Sequence, residues 1–171
     1  MYKPPMQGLL PFTHLAAICV YIGATVLLAI LVHTMGASSD DPMVRRRHLV
    51  PIFKAYNPLA IGVLGIVVMS GAYSVTGYKH RLGADYFTAF AQGLASKLGL
   101  AFVLIFVATW LCFGICHRMV RADQFDTPTS DRELSSMLLR CRAAAWFAVA
   151  LAFYTLWFSL GLGMGELSPA T

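Results

Sequence analysis

The sequence predicts an all-α integral membrane protein, an antiparallel bundle of four transmembrane helices. Two observations carry that prediction: charge is scarce, and it is segregated. Only 12% of the 171 residues are charged and 58% are hydrophobic, whereas a soluble domain carries about 25% charged residues. No Asp, Glu, Lys or Arg occurs in 4–39, 55–78, 98–117 or 143–165. Each gap holds the ~20 apolar residues that cross a hydrocarbon core. Strand-type alternation is absent, and lipid offers no partner to an open sheet edge, so a sheet is excluded. A single membrane domain over residues 1–171 follows, with spans at about 12–34, 54–78, 96–118 and 142–164.

The first span is not read as a cleaved signal peptide. Only Lys3 precedes it, the apolar run is too long, and no small-residue cleavage site follows. Before the second span, "DDPMVRRRHLVPIFKAYNP" reads as an interfacial lead-in resting on anionic headgroups. Asp41 is its candidate N-cap and Pro42 its first-turn residue, with Pro51 and Pro58 bending the chain. The third span opens at Lys97. Ser130-x-x-Glu133 is a capping box, so the fourth helix starts near Asp131 and enters the membrane from a cytoplasmic extension. Gly62, Gly65, Gly71, Ala101, Ala108, Ala144 and Ala148 are the small residues expected to let helices approach. Tyr78, Tyr86, Trp146 and Trp157 suit interfacial or packing positions.

Nine basic residues lie in the segments 35–53 and 119–141 and at the adjoining span ends, namely Arg45, Arg46, Arg47, Lys54, Arg118, Arg121, Arg132, Arg140 and Arg142. The other side holds four: Lys3, Lys79, Arg81 and Lys97. Basic residues stay cytoplasmic, which places both termini outside in a bacterial-type inner membrane. The net charge of +5 therefore reports topology, and a nucleic-acid partner is not expected. Cys112, Cys116 and Cys141 fall at the reducing side, so no disulfide framework is implied.

Few residues could carry chemistry. His14 shares a helical face with Ala17, Ile18, Tyr21, Ala24 and Thr25, a small and partly polar stripe. The opposite side carries Val20, Leu27 and Ile30. His14 is therefore read as pointing into the bundle, as a ligand or cofactor-pocket residue rather than an interfacial anchor. Lys97 repeats the pattern at a similar depth, with Ala101, Leu104 and Ala108 along its face. Two inward basic groups could hold an anionic substrate, a porphyrin carboxylate or a metal. His14 and His33 stand about 28 Å apart along one helix and cannot share an ion. "CFGICHR" departs from the C-x-x-C-H spacing of haem attachment and lies on the wrong side for it. Cys112, Cys116, His117 and Cys141 form a second, weaker metal candidate of soft-ligand type. No carboxylate lies within a span, which argues against an acidic proton relay.

"HLAAICVYIGA", with His14, Tyr21 and Gly23, resembles the first helix of the CopD-like and HemJ-like membrane proteins. "VVMSGAY" around Ser70 and Gly71 is similar to their second helix, and "FAQGLASKLGLAFVLIF" around Lys97 to their third. The resemblance implies a four-helix membrane fold with His14, Lys97 and Tyr21 as cofactor-binding positions and haem b as the cofactor. HemJ-type protoporphyrinogen oxidases use a first-helix histidine and a third-helix lysine, so an enzyme here would be an oxidoreductase of that kind. Their first helix continues with a Pro-Arg pair, where this chain has Leu28, Ala29 and Ile30; a propionate partner is thereby lost. The expectations, in order, are three. The first is a small haem-binding or redox-associated membrane protein, acting as an accessory subunit of a larger complex or as a homo-oligomer. The second is a CopD-type copper-handling protein, and the third a HemJ-like oxidase.

Overall fold

The structure, a computed structural model, describes residues 6–36, 41–82, 86–127 and 129–165, with side chains chiefly over 9–36, 41–73, 95–127 and 129–157. Its elements are α1 (Met6–Gly36), α2 (Pro42–Leu82), α3 (Tyr86–Thr109), a π-helical segment (Trp110–Cys116), α4 (His117–Gln124) and α5 (Asp131–Gly165). From α3 through the π-helical segment to α4 the chain is continuously helical, so it forms four rods. Each rod carries a stretch long and apolar enough to cross a membrane, and the protein is an all-α four-helix bundle.

Around the bundle, α1 packs on α2 and α5, and α3 packs on the same two. Among the described residues α1 and α3 stand diagonally, with no close backbone approach between them. The predicted face of α1 is the buried one: Ala17, Ile18, Tyr21 and Thr25 are buried, whereas Val20, Leu27 and Ile30 are exposed. On α5, Ala144, Ala145, Ala148 and Ala152 are buried and let neighbouring backbones approach. Without a hydrophobic drive between helices in lipid, such close contact supplies the association energy. Ala108 serves α3 in the same way.

Two helix starts follow their sequence signals. The Met43 N–H donates to Asp41 Oδ1 at 2.8 Å, with Pro42 opening α2. The Glu133 N–H donates to Ser130 Oγ at 3.2 Å, and α5 begins at Asp131. Each cap satisfies an orphan donor and contributes about 1 kcal/mol.

α1 starts at Met6, ahead of the span placed at about 12–34. The lead-in before span two is the start of α2 itself, which runs 41 residues with Pro51 and Pro58 inside it. At about 60 Å, α2 is roughly twice the thickness of the hydrocarbon core. In its first turns Arg46, Leu49, Val50 and Phe53 occupy one face and are buried in the bundle. One expectation is corrected: among the described residues Gly62 and Gly65 meet no neighbour, and a Cβ on either would find nothing within 4 Å. They are exposed, so among those residues they mediate no helix contact. The side chains of Tyr78 and Tyr86 and the ends at 1–5 and 166–171 lie outside the described residues.

Toward the arginine-rich end Leu49, Met119 and Leu134 are fully buried. Arginines close that end. Arg45 of α2 pairs with Asp131 of α5. Arg46, only 4% exposed, donates from Nη1 to the Thr127 carbonyl at 2.7 Å and to Thr129 Oγ1 at 3.1 Å. It thereby ties α2 to the turn after α4, where Asp126 adopts a left-handed φ of 47°. On the neighbouring face, Arg142 donates to His33 Nδ1 at 2.8 Å.

Candidate functional site

His14 is half-buried on α1, and its Nδ1 lies 2.8 Å from Ser70 Oγ on α2, 56 residues away. Ser70 is 5% exposed and turns its hydroxyl back on its own helix, 2.6 Å from the Ile66 carbonyl and 3.1 Å from that of Val67. A serine has one hydrogen to give. The carbonyls can only accept, so that hydrogen goes to them, and all contacts are satisfied only when His14 Nδ1–H donates to Ser70 Oγ. The proton is thus assigned by the hydrogen-bond network. The Val67 carbonyl also faces the imidazole as an acceptor. With Nδ1 protonated, Nε2 carries the free lone pair of a neutral ring, the form in which histidine ligates metals.

Gly71 forms the shelf beside this pair. A Cβ there would stand 3.6 Å from His14 Cε1, so the imidazole edge rests on the Ser70–Gly71 turn at ordinary contact distance. The first-helix and second-helix segments singled out in the sequence therefore meet in space. Ser70 is the partner that sequence reasoning left unassigned to His14. Its signal was one hydroxyl in the apolar stretch 58–72, which does not say which neighbour it meets.

The other expected site residues are dispersed. Lys97 is half-buried on α3, diagonal to α1, so no helix packing joins it to His14. Leu104 and Ala108 on its face are buried as expected. Tyr21 lies two turns from His14 on α1, about 10 Å along the axis, and is 2% exposed. There it joins a buried hydroxyl cluster that the sequence did not reveal. Thr25 Oγ1 donates to the Tyr21 carbonyl at 2.8 Å, so the Tyr56 hydroxyl donates to Thr25 Oγ1 at 3.1 Å. Tyr21 Oη is buried beside the Thr25 and Tyr56 hydroxyls, and among the described residues it closes no hydrogen bond of normal geometry.

Three thiols gather nearby. Cys112 and Cys116 come from the π-helical segment and Cys141 from α5, all buried. The wide turn closes with the His117 N–H on the Cys112 carbonyl, and it faces Leu111, Cys112, Ile115 and Cys116 inward together. Gly114 permits it to be capped by an indole, since a Cβ there would stand 2.9 Å from Trp110 Cδ1. The Cys116 and Cys141 thiols meet across the helix interface, with Cys112 beside them. His117 is separated from this group: it is exposed, and its ring lies against that of Phe113 at 6.5 Å. Among the described residues, no three His, Cys, Asp or Glu side chains converge as a metal-holding group.

An apolar groove of about 340 Å³ runs between α2 and α3, bounded by Ala60, Gly65, Met69, Ala108 and Cys112. No protein family, characterised protein or solved structure matches the chain.

Proposed function

We propose that this four-helix membrane protein binds haem b or otherwise serves redox chemistry, as an accessory subunit of a larger complex in a bacterial-type inner membrane. The observation that carries the reading is the His14–Ser70 hydrogen bond. It leaves Nε2 as the acceptor nitrogen, and a ligating histidine commonly donates its other ring N–H to a fixed oxygen. His14 is the residue that would hold iron, through Nε2. Ser70 would orient the ring, and Gly71 would keep room beside it. Lys97, from α3, would pair with a propionate, and Tyr21 would bound the pocket on its deeper side. Bound haem would supply one-electron chemistry. The donor chemistry of His14 fits such a group, and the resemblance of three helices to the CopD-like and HemJ-like proteins adds support. Protein expressed with ample haem should purify with a Soret band, and His14→Ala should abolish or shift it while the bundle stays folded. Lys97→Ala should weaken binding less. Colourless wild-type protein that takes up no haem would return His14 to the role of an interfacial anchor.

A second reading, copper handling of the CopD type, is supported by the meeting of the Cys116 and Cys141 thiols, since soft thiolates suit Cu(I). Under that reading Cys116→Ser lowers the copper content of the purified protein. Unchanged stoichiometry, or no copper in the wild type, removes it.

A further inference from the structure

A cavity of about 340 Å³ opens at the arginine-rich end, between α4 and the start of α5, with Arg46, Arg118, Arg121 and Glu133 among its lining residues. Its accessible apolar wall includes Phe125 and Met137, with Met119 and Leu134 packed behind them. Nothing in the haem or copper reading uses it.

The charges in it are unequally matched. The Arg46 guanidinium faces Asp123 at 3.6 Å and Asp126 at 3.5 Å, so that cation has its counter-charges, although its buried Nε makes no hydrogen bond. Arg118 and Arg121 stand one turn apart on α4, both exposed. Among the described residues neither has an ion pair; Arg121 instead covers the Phe125 ring at 5.6 Å. Two cations without carboxylate partners, over an apolar floor, suit a singly charged group that brings its own apolar part.

Position along the chain selects the kind of anion. The charge-free stretch 98–117 ends immediately before Arg118, so this arginine stands where the helix leaves hydrocarbon and Arg121 one turn, about 5 Å, farther out. Arg46 lies 8 residues before Lys54 closes the 55–78 stretch, which puts the cavity's far wall about 12 Å beyond the hydrocarbon. The cavity therefore spans the headgroup layer. Basic pockets between helices at this level hold the phosphates of lipid headgroups.

We propose that this cavity is a binding site for the phosphodiester headgroup of a membrane phospholipid. Arg118 and Arg121 hold the phosphate, and the wall of Phe125 and Met137 covers the glycerol. Glu133, at the rim, repels a second negative charge and accepts the ammonium of an ethanolamine headgroup. Arg46 is the inner wall and stays paired with Asp123 and Asp126.

The test is delipidation of the full chain in detergent, followed by native mass spectrometry with phosphatidylglycerol or phosphatidylethanolamine. Diacylglycerol serves as the phosphate-free control and inorganic phosphate as the free anion. One phospholipid should be retained per chain, and Arg118→Gln with Arg121→Gln should weaken retention about 30-fold, since each surface arginine contributes about a 5-fold factor. Both positions are exposed, so the double variant is expected to keep the wild-type unfolding temperature, measured alongside. Equal retention by wild type and double variant overturns the proposal, as does equal retention of diacylglycerol. Competition by millimolar phosphate as effective as that by lipid also overturns it, and assigns the cavity to a soluble anion. A double variant that loses its fold is replaced by Arg121→Gln alone, for which about a 5-fold loss is expected and no loss refutes the site.

Discussion

Ser70→Ala tests the arrangement around His14 more directly than removal of the histidine. The substitution deletes one oxygen from a 5% exposed site, and alanine is the better helix former. The Ile66 and Val67 carbonyls lose only an extra donor, since backbone N–H groups serve them in the helix, so α2 should keep its fold. What disappears is the acceptor 2.8 Å from His14 Nδ1, while the Val67 carbonyl remains as a second acceptor for the ring. A neutral hydrogen bond contributes about 1 kcal/mol net, which biases the imidazole about fivefold toward the Nδ1–H tautomer. Nitrogen NMR of protein labelled at histidine, assigned by comparison with His14→Ala, reads that ratio without any cofactor. The wild type should show Nδ1–H as the major form, and Ser70→Ala should move the ratio toward parity or beyond. Partners that orient a ligating histidine typically govern affinity by about 10–100-fold, so haem titration of Ser70→Ala should show a loss in that range. A wild-type ring protonated at Nε2 refutes the proton assignment. A ratio unchanged by Ser70→Ala refutes the role of the serine, and an unchanged haem affinity separates that bond from any cofactor.

The hydroxyl bridge between α1 and α2 should be measurable as a coupling. In a double-mutant cycle of Thr25→Val and Tyr56→Phe, the expected interaction is about 0.6 kcal/mol, with about 1.7 as the ceiling for bonds between membrane helices; strictly additive single effects would mean that the 3.1 Å contact contributes no stability. The nine-to-four distribution of basic residues predicts that a C-terminal reporter active only in the cytoplasm stays silent, and strong activity would reverse the sidedness assigned to His14 and the arginine cavity.

The four spans were legible in the sequence because the cost of charge in hydrocarbon is a local property of each segment. The α1 face was legible for a related reason: small and polar residues at helical spacing, Ala17, Tyr21 and Thr25, contrast with Val20, Leu27 and Ile30 across the same helix. Asp41 and Ser130 marked helix starts through bonds that close within two or three residues. Even the burial of Arg46 had a trace, since Leu49, Val50 and Phe53 follow it at helical spacing; the adjoining Arg45 and Arg47 masked it.

Tertiary structure alone decided which groups meet. His14 finds Ser70 across 56 residues and Thr25 finds Tyr56 across 31. Both pairs depend on how far α1 slides and turns against α2, which no pattern within either helix encodes. The diagonal placement of α1 and α3, which keeps Lys97 from packing on His14, depends on the cyclic order of the helices. Gly62 and Gly65 show why periodicity fails at this step. In water, an apolar face must be buried, so a helix announces its inner side. In lipid, the face toward solvent is apolar as well, and a glycine that admits a neighbouring helix reads the same as one that faces the bilayer.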